Sequence, residues 1–223
     1  MRHLVTGLLL AASLPVLADG KATLESHSAQ GGATMEVSWA GDDLRMDFPQ
    51  QAQAGFMLLK DGKGYMVSQM QGQTMVMDLA KLREMAEGMG GDKAAAGLTD
   101  EQASSVDALE ATGEQETIAG LEGDVYRLQW TDKAGNAHDD TLVLSDDPQV
   151  RELMAVFHAY QQSMTGESDP IATELEEREL GMLRFSDRFQ IAELSDETPQ
   201  ADIFELPEDA MTFEDMMRSA VPE

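Results

Sequence analysis

Residues 34–48 read TMEVSWAGDDLRMDF. Apolar side chains stand at every second position on both sides of the dipeptide Gly41-Asp42. They are Met35, Val37 and Trp39 before the dipeptide and Leu44, Met46 and Phe48 after it. A period of two is typical of a strand with one buried and one solvated face, and Gly-Asp is typical of a tight turn. The stretch therefore predicts two antiparallel strands with one dry face and one wet face.

The same alternation continues in both directions along the chain. Asp61-Gly62-Lys63-Gly64 predicts a hairpin turn between strands 56–60 and 65–70, and Lys133-Ala134-Gly135-Asn136 predicts another turn. Further strands are predicted at 73–77, 114–118, 124–130, 138–144, 181–186, 189–194 and 201–207. About ten strands result, and they are expected to pair mainly as antiparallel neighbours.

Helical spacing appears in a few segments. Residues 78–87 predict a short helix with Asp78 as N-cap and Gly88 as stop, and residues 150–164 predict a longer helix with one apolar stripe that ends near Gly166. Residues 169–179 predict a helical turn followed by a loop. Residues 89–105 are small and polar, which predicts a flexible excursion, and a short tail helix is predicted after Thr212.

A long antiparallel sheet with one apolar face must curl or be covered to bury that face. The fold class expected is therefore mainly β with helices (α+β), a curved antiparallel sheet or half-barrel lidded by two or three helices. The helix at 150–164 is the expected lid. Residues 19–223 are expected to form a single domain with the flexible excursion at about 89–105.

The first 18 residues have the pattern of a secretory signal peptide. Arg2 precedes an apolar run over residues 4–17, and Val16-Leu17-Ala18 predicts cleavage after Ala18. The run is shorter than the roughly 20 residues that a membrane-spanning helix needs. The sequence thus predicts a soluble periplasmic protein that is not membrane-embedded.

The charge balance limits the partners. The chain has 42 acidic and 15 basic side chains and no cysteine. Nucleic acid is excluded as a partner because there is no basic patch to neutralise phosphates, and thiol chemistry is excluded as well. His27, His138 and His158 are far apart and lie in no catalytic or metal-binding motif, so no enzyme, catalytic residue, metal or cofactor is expected.

Sixteen methionines are a large number for this length, and they leave one alternative open. The pairs Met75/Met77, Met66/Met70 and Met85/Met89 could hold Cu(I), which prefers thioether ligands. Burial alone explains the alternating methionines and is the favoured interpretation, because methionine fills irregular cores and lines surfaces that accept varied apolar ligands. The acidic pairs lack the ligand spacing of a calcium loop.

Three segments resemble the LolA/LolB-like lipoprotein-carrier fold. They are residues 39–48 (WAGDDLRMDF), the turn Asp61-Gly62-Lys63 that enters Tyr65-Met66-Val67, and residues 201–207 (ADIFELP); residues 118–126 (IAGLEGDVY) look similar to uncharacterised periplasmic members of that superfamily. The resemblance spans most of residues 21–213. It implies an open antiparallel half-barrel lidded by helices, a hydrophobic cavity for acyl chains and a non-enzymatic role.

These observations predict a soluble periplasmic, non-enzymatic binding or carrier protein that holds an apolar lipid or acyl group, with a lipid or a lipidated protein as the possible partner. From strand parity and the helix stripe, the predicted hydrophobic cavity is lined by Trp39, Met46, Phe48, Met75, Met77, Leu153 and Phe157. The alternative is an acidic periplasmic interaction or scaffold protein with a filled core and no small ligand. Cargo, oligomeric state and partner proteins are not encoded in any motif.

Overall fold

A computed structural model describes residues 19–28, 31–50, 55–70, 72–88, 102–212 and 215. Twelve strands are described: β1 (Gly20–Ser28), β2 (Gly31–Ala40), β3 (Asp43–Asp47), β4 (Phe56–Lys60), β5 (Lys63–Met70), β6 (Gln73–Asp78), β7 (Ala103–Ile118), β8 (Leu121–Asp132), β9 (Ala137–Ser145), β10 (Gly181–Phe185), β11 (Phe189–Ser195) and β12 (Met211–Thr212). Three α-helices accompany them: α1 (Leu79–Gly88), α2 (Pro148–Thr165) and α3 (Pro170–Glu177).

All twelve strands belong to one open, curved sheet. Its order is β12-β6-β5-β4-β3-β2-β1-β11-β10-β9-β8-β7, and β1 pairs with β11 to join the first half of the chain to the second. Every neighbouring pair is antiparallel except β12 and β6, which are parallel. The predicted fold class, a curved antiparallel sheet lidded by helices, is confirmed.

The hairpin turn and the helix caps predicted from the sequence are present in the structure. The hairpin between β4 and β5 turns at Asp61 and Gly62, both with positive φ (50° and 72°), which is the backbone of a type I′ turn. The carboxylate of Asp78 accepts hydrogen bonds from the amides of Ala80 and Lys81 and so caps α1. Gly166 ends α2 in the left-handed conformation.

Three segments differ from the prediction. Residues 201–207 are not a strand: Ala201–Phe204 form a 3₁₀ helix, and the last strand of the described chain is β12. β7 already begins at Ala103, inside the predicted excursion, and residues 169–179 contain a complete helix, α3. The predicted signal peptide, most of the excursion (89–101) and all but one residue of the predicted tail helix lie outside the described residues.

The apolar side chains form two core clusters. The first, here called the α2 core, packs α2 mainly against β1–β4 and contains Ala22, Leu24, Val37, Trp39, Leu44, Met46, Leu59, Leu79, Val125, Val143, Val150, Leu153, Val156, Tyr160, Leu183 and Ile191. The second, here called the α3 core, packs α3 against β7–β9 and contains Ala103, Leu109, Leu128, Trp130, Leu142, Leu144, Ile171 and Leu175.

The wet face that the sequence predicts for β3 is partly covered by the 3₁₀ helix. The 3₁₀ helix contacts β3 and β4, and its Phe204 is 2% exposed. Leu58 points to the opposite side of β4 from its neighbour Leu59, yet both are buried. This part of the sheet therefore buries apolar side chains on both faces.

Candidate functional site

An apolar cleft of about 630 Å³ lies between α2 and α3, where the two core clusters meet. Its apolar wall comes from both sides: Met35, Met154, Phe157 and Phe189 also pack against the α2 core, and Ile171, Leu175, Leu180, Met182 and Phe185 belong to or pack against the α3 core. We call it the α2–α3 cleft. Its volume lies within the range of small-molecule sites.

The apolar stripe of α2 divides into two rows. Val150, Leu153, Val156 and Tyr160 are buried and enter the α2 core. Met154 and Phe157 are half-buried and face the cleft, with Gln161 one turn further along. Sequence analysis took this stripe as one buried face. A stripe wider than a single helix row is the signal that could have indicated a second contact surface.

The opposite wall depends on α3. Asp169 caps α3, because its carboxylate accepts hydrogen bonds from the amides of Ile171 (2.7 Å) and Ala172 (3.3 Å), and Pro170 occupies the first turn. Ile171 and Leu175, four residues apart, lie on one helix face and are buried. The short helix thus holds its apolar side toward the sheet and its acidic side toward solvent.

The two basic side chains of the cleft each lie close to a carboxylate. Arg151 Nη1 lies 3.7 Å from Glu179 Oε1, and His158 Nδ1 lies 3.8 Å from Glu176 Oε2. Arg151 Nε and His158 Nε2 are buried and find no hydrogen-bond partner among the described residues. These two atoms are therefore unsatisfied and also closed to solvent.

Phe185, in the cleft wall, contacts an arginine that belongs to an ionic network. The guanidinium of Arg188 lies 4.4 Å from the centre of the Phe185 ring and donates to Asp140 Oδ2 at 2.5 Å. Burial raises the pKa of Asp140, but hydrogen bonds from Arg188, Trp130 and Ser186 outweigh it and leave that pKa below its ordinary value. Asp140 therefore stays ionised and keeps Arg188 in place.

The seven residues of the predicted cavity, all in the described part of the chain, occupy several environments. Trp39, Met46 and Leu153 are at most 2% exposed and fill the α2 core, and Phe48 is half-buried against it. Met75 and Met77 lie on β6, opposite Ser68 and Met66. Phe157 is the member of the set that lines the α2–α3 cleft.

Sequence reasoning did not anticipate most of the cleft. Arg151, His158 and the residues of α3, β10 and β11 are brought together only by long-range packing. The structure thus moves the candidate binding site from the space beneath α2 to the side of α2 that faces α3.

No family model, curated protein or solved structure matches this chain. None of the described helices has the combination of length and apolarity needed to span a bilayer. Within the described residues, no group of three or more histidine or carboxylate side chains is arranged to hold a metal ion.

Proposed function

We propose that this chain is a non-enzymatic binding or carrier protein that holds an apolar ligand, a lipid or acyl group, in the α2–α3 cleft. The observation that carries the proposal is the cleft itself, about 630 Å³ with nine large apolar side chains in its wall. Apolar clefts of this size are typical of sites that bury most of a small ligand. Burial of apolar area then supplies the binding energy.

The non-enzymatic role is supported by the pairing of the polar groups at the cleft. The carboxylate of Asp169 caps α3, and the bases Arg151 and His158 stand beside Glu179 and Glu176. These groups serve the architecture of the cleft wall. We further propose that residues 1–18 are a cleaved signal peptide, that the protein works in the periplasm, and that it belongs to the LolA/LolB-like carriers that its motifs resemble.

One observation favours the second candidate, an acidic interaction or scaffold protein. Trp39 and Leu153, both 0% exposed, pack in the core beneath α2, as a protein with a filled core requires. An excess of 27 negative charges would favour a basic partner. The two functions differ in whether the α2–α3 cleft is occupied.

The test is a binding titration with a neutral apolar fluorophore, N-phenyl-1-naphthylamine, on the wild type and two tryptophan variants. Ala155 is exposed and lines the cleft, whereas Ala159 is exposed on the same helix and does not contribute to the cleft wall. We expect Ala155→Trp to fill the cleft and weaken binding at least about tenfold, and Ala159→Trp to bind as the wild type does.

Native mass spectrometry of the purified protein provides the second measurement, a co-purified lipid that Ala155→Trp loses. If the wild type does not bind the fluorophore and carries no lipid, the carrier function is wrong. If both tryptophan variants bind like the wild type, the ligand site is not this cleft.

A further inference from the structure

The rim of the α2–α3 cleft is acidic. The charged side chains that line the cleft include four carboxylates, those of Glu152, Asp169, Glu176 and Glu179, and one guanidinium, that of Arg151. Glu176 and Glu179 are 72% and 83% exposed, so they stand at the entrance and not in the apolar interior. A ligand buried in the cleft would leave its polar end at this rim.

The basic groups offer little to an anionic end. Arg151 and His158 each face a rim carboxylate, at 3.7 Å and 3.8 Å, so an anion would have to displace Glu179 or Glu176. The unsatisfied atoms Arg151 Nε and His158 Nε2 are closed to solvent and present no open donor. A cation, in contrast, can approach Glu176 and Glu179 directly, because both side chains are mostly exposed and their contacts with His158 and Arg151 are longer than hydrogen bonds.

The size of the cleft separates a small amphiphile from a peptide. One turn of an α-helix, about 10 Å wide and 5.4 Å long, occupies roughly 400 Å³. The cleft of about 630 Å³ has room for little more than one such turn, so it is too small to enclose a helical peptide. A single hydrocarbon chain fits that volume.

From these observations we infer that the α2–α3 cleft takes a single-chain amphiphile with a positively charged end, its hydrocarbon part against the apolar wall and its cation beside Glu176 and Glu179. The inference rests on the proposed function and adds the class of ligand to it. The overall charge of −27 acts in the same direction, because it raises the local concentration of cations.

Three probes with the same twelve-carbon chain test the charge of the end: dodecyltrimethylammonium, dodecyl maltoside and dodecyl sulfate, each titrated below the concentration at which it forms micelles. Exposed ion pairs contribute modestly, so we expect the cation to bind about fivefold more tightly than the neutral probe and the anion more weakly than both. At 1 M salt, where the Debye length is about 3 Å, the differences should shrink.

A pair of double variants separates the rim from the overall charge. Glu176→Gln/Glu179→Gln removes two rim carboxylates, and Glu208→Gln/Asp209→Asn removes two exposed carboxylates that do not contribute to the cleft wall. We expect the first variant to reduce the preference for the cation to twofold or less and to leave the neutral probe unaffected. The second should keep the wild-type order.

The outcomes distinguish this inference from the proposed function. If dodecyl maltoside binds but the cation binds no better, or the anion binds best, the inference is overturned and the carrier function stands. The same holds if both double variants lose the preference equally, since overall charge then explains it. If none of the three probes binds, the carrier function fails and the inference fails with it.

Discussion

Arg45 on β3 donates a hydrogen bond of 3.0 Å from Nη1 to the carbonyl oxygen of Ile203, near the end of the described chain. The same guanidinium is held by Asp47 and lies 3.8 Å above the centre of the Phe56 ring. One side chain thus connects the third strand of the sheet to the 3₁₀ helix, which covers the face of the sheet opposite the α2 core.

The first prediction concerns this link. Arg45→Gln should lower the free energy of unfolding by about 2 kcal/mol, because it removes a charged hydrogen bond to a backbone carbonyl and a cation–π contact. Denaturant titration measures the loss, and hydrogen exchange at residues 201–204 should speed up more than exchange in β8. Equal acceleration in both places would show that Arg45 does not hold this segment in particular.

Gly181 provides a second prediction, about how closely α2 approaches the sheet. A Cβ atom there would lie 2.7 Å from the backbone carbonyl carbon of Val150, and backbone cannot move aside cheaply. Gly181→Ala should therefore cost about 1–3 kcal/mol of unfolding free energy and weaken fluorophore binding by displacing a wall of the cleft.

The matched control for Gly181 is Gly32→Ala, where the nearest atom, the carbonyl oxygen of Ser26, would be 3.5 Å away in ordinary contact. It should change the unfolding free energy by less than about 0.5 kcal/mol in the same denaturation experiment. Similar costs for both variants would mean that the close approach at Gly181 is not what limits the position of α2.

The third prediction is a pH dependence. Hydrogen bonds from His138 and from Asn136 lower the pKa of Asp132, which is 3% exposed, from 3.8 to about 2. Since the lowered pKa belongs to the folded state, ionised Asp132 stabilises the fold above pH 3.8, and this contribution disappears as the pH falls toward about 2.

Carbon-13 NMR titration of the Asp132 carboxyl group measures that pKa directly, and Asp132→Asn assigns the signal. The difference in unfolding free energy between the wild type and Asp132→Asn should shrink as the pH falls from about 4 toward 2. A midpoint at or above 3.8 would contradict the geometry of the His138–Asp132 pair.

The fourth prediction separates packing from metal binding among the methionines. The strand register places Met46, Met57, Met66 and Met77 directly opposite one another across β3, β4, β5 and β6. Because leucine conserves the volume, Met66→Leu and Met77→Leu should each change the unfolding free energy by less than about 1.5 kcal/mol. Competition with a Cu(I) chelator is the contrasting measurement: a tight wild-type complex that either variant abolishes would show that the row is a thioether site.

Local chemistry made much of the fold predictable. The alternation in residues 34–48, the turn at Asp61 and Gly62 and the cap at Asp78 each depend on neighbours within a few residues, and all three were predicted correctly. The first half of β7 was missed because its alanine, serine and acidic residues have weak strand preference, and its pairing with β8 decides its conformation. For α3, the Asp169-Pro170 pair is a local cap signal, and it indicates a longer helix than the single turn predicted.

At residues 201–207, in contrast, long-range contacts override the local pattern. The pattern of this segment is compatible with a strand, but Phe204 inserts toward the sheet and Arg45 binds the carbonyl of Ile203, so residues 201–204 form a 3₁₀ helix. The candidate cavity moved for a similar reason. The side chains that strand parity brings together, Trp39 and Met46, pack so closely that they fill the core.

The sequence by itself determined the strand-rich character, the turns, the caps and the amphipathic α2, because periodicity and capping are set by residues close together in the chain. Only the tertiary structure decided that α3 stands beside α2, that β10 and β11 close the wall between them and that four carboxylates and one guanidinium line the cleft. The residues of the cleft wall are spread over positions 35–189. They come together because of how the two core clusters pack, which no local pattern specifies.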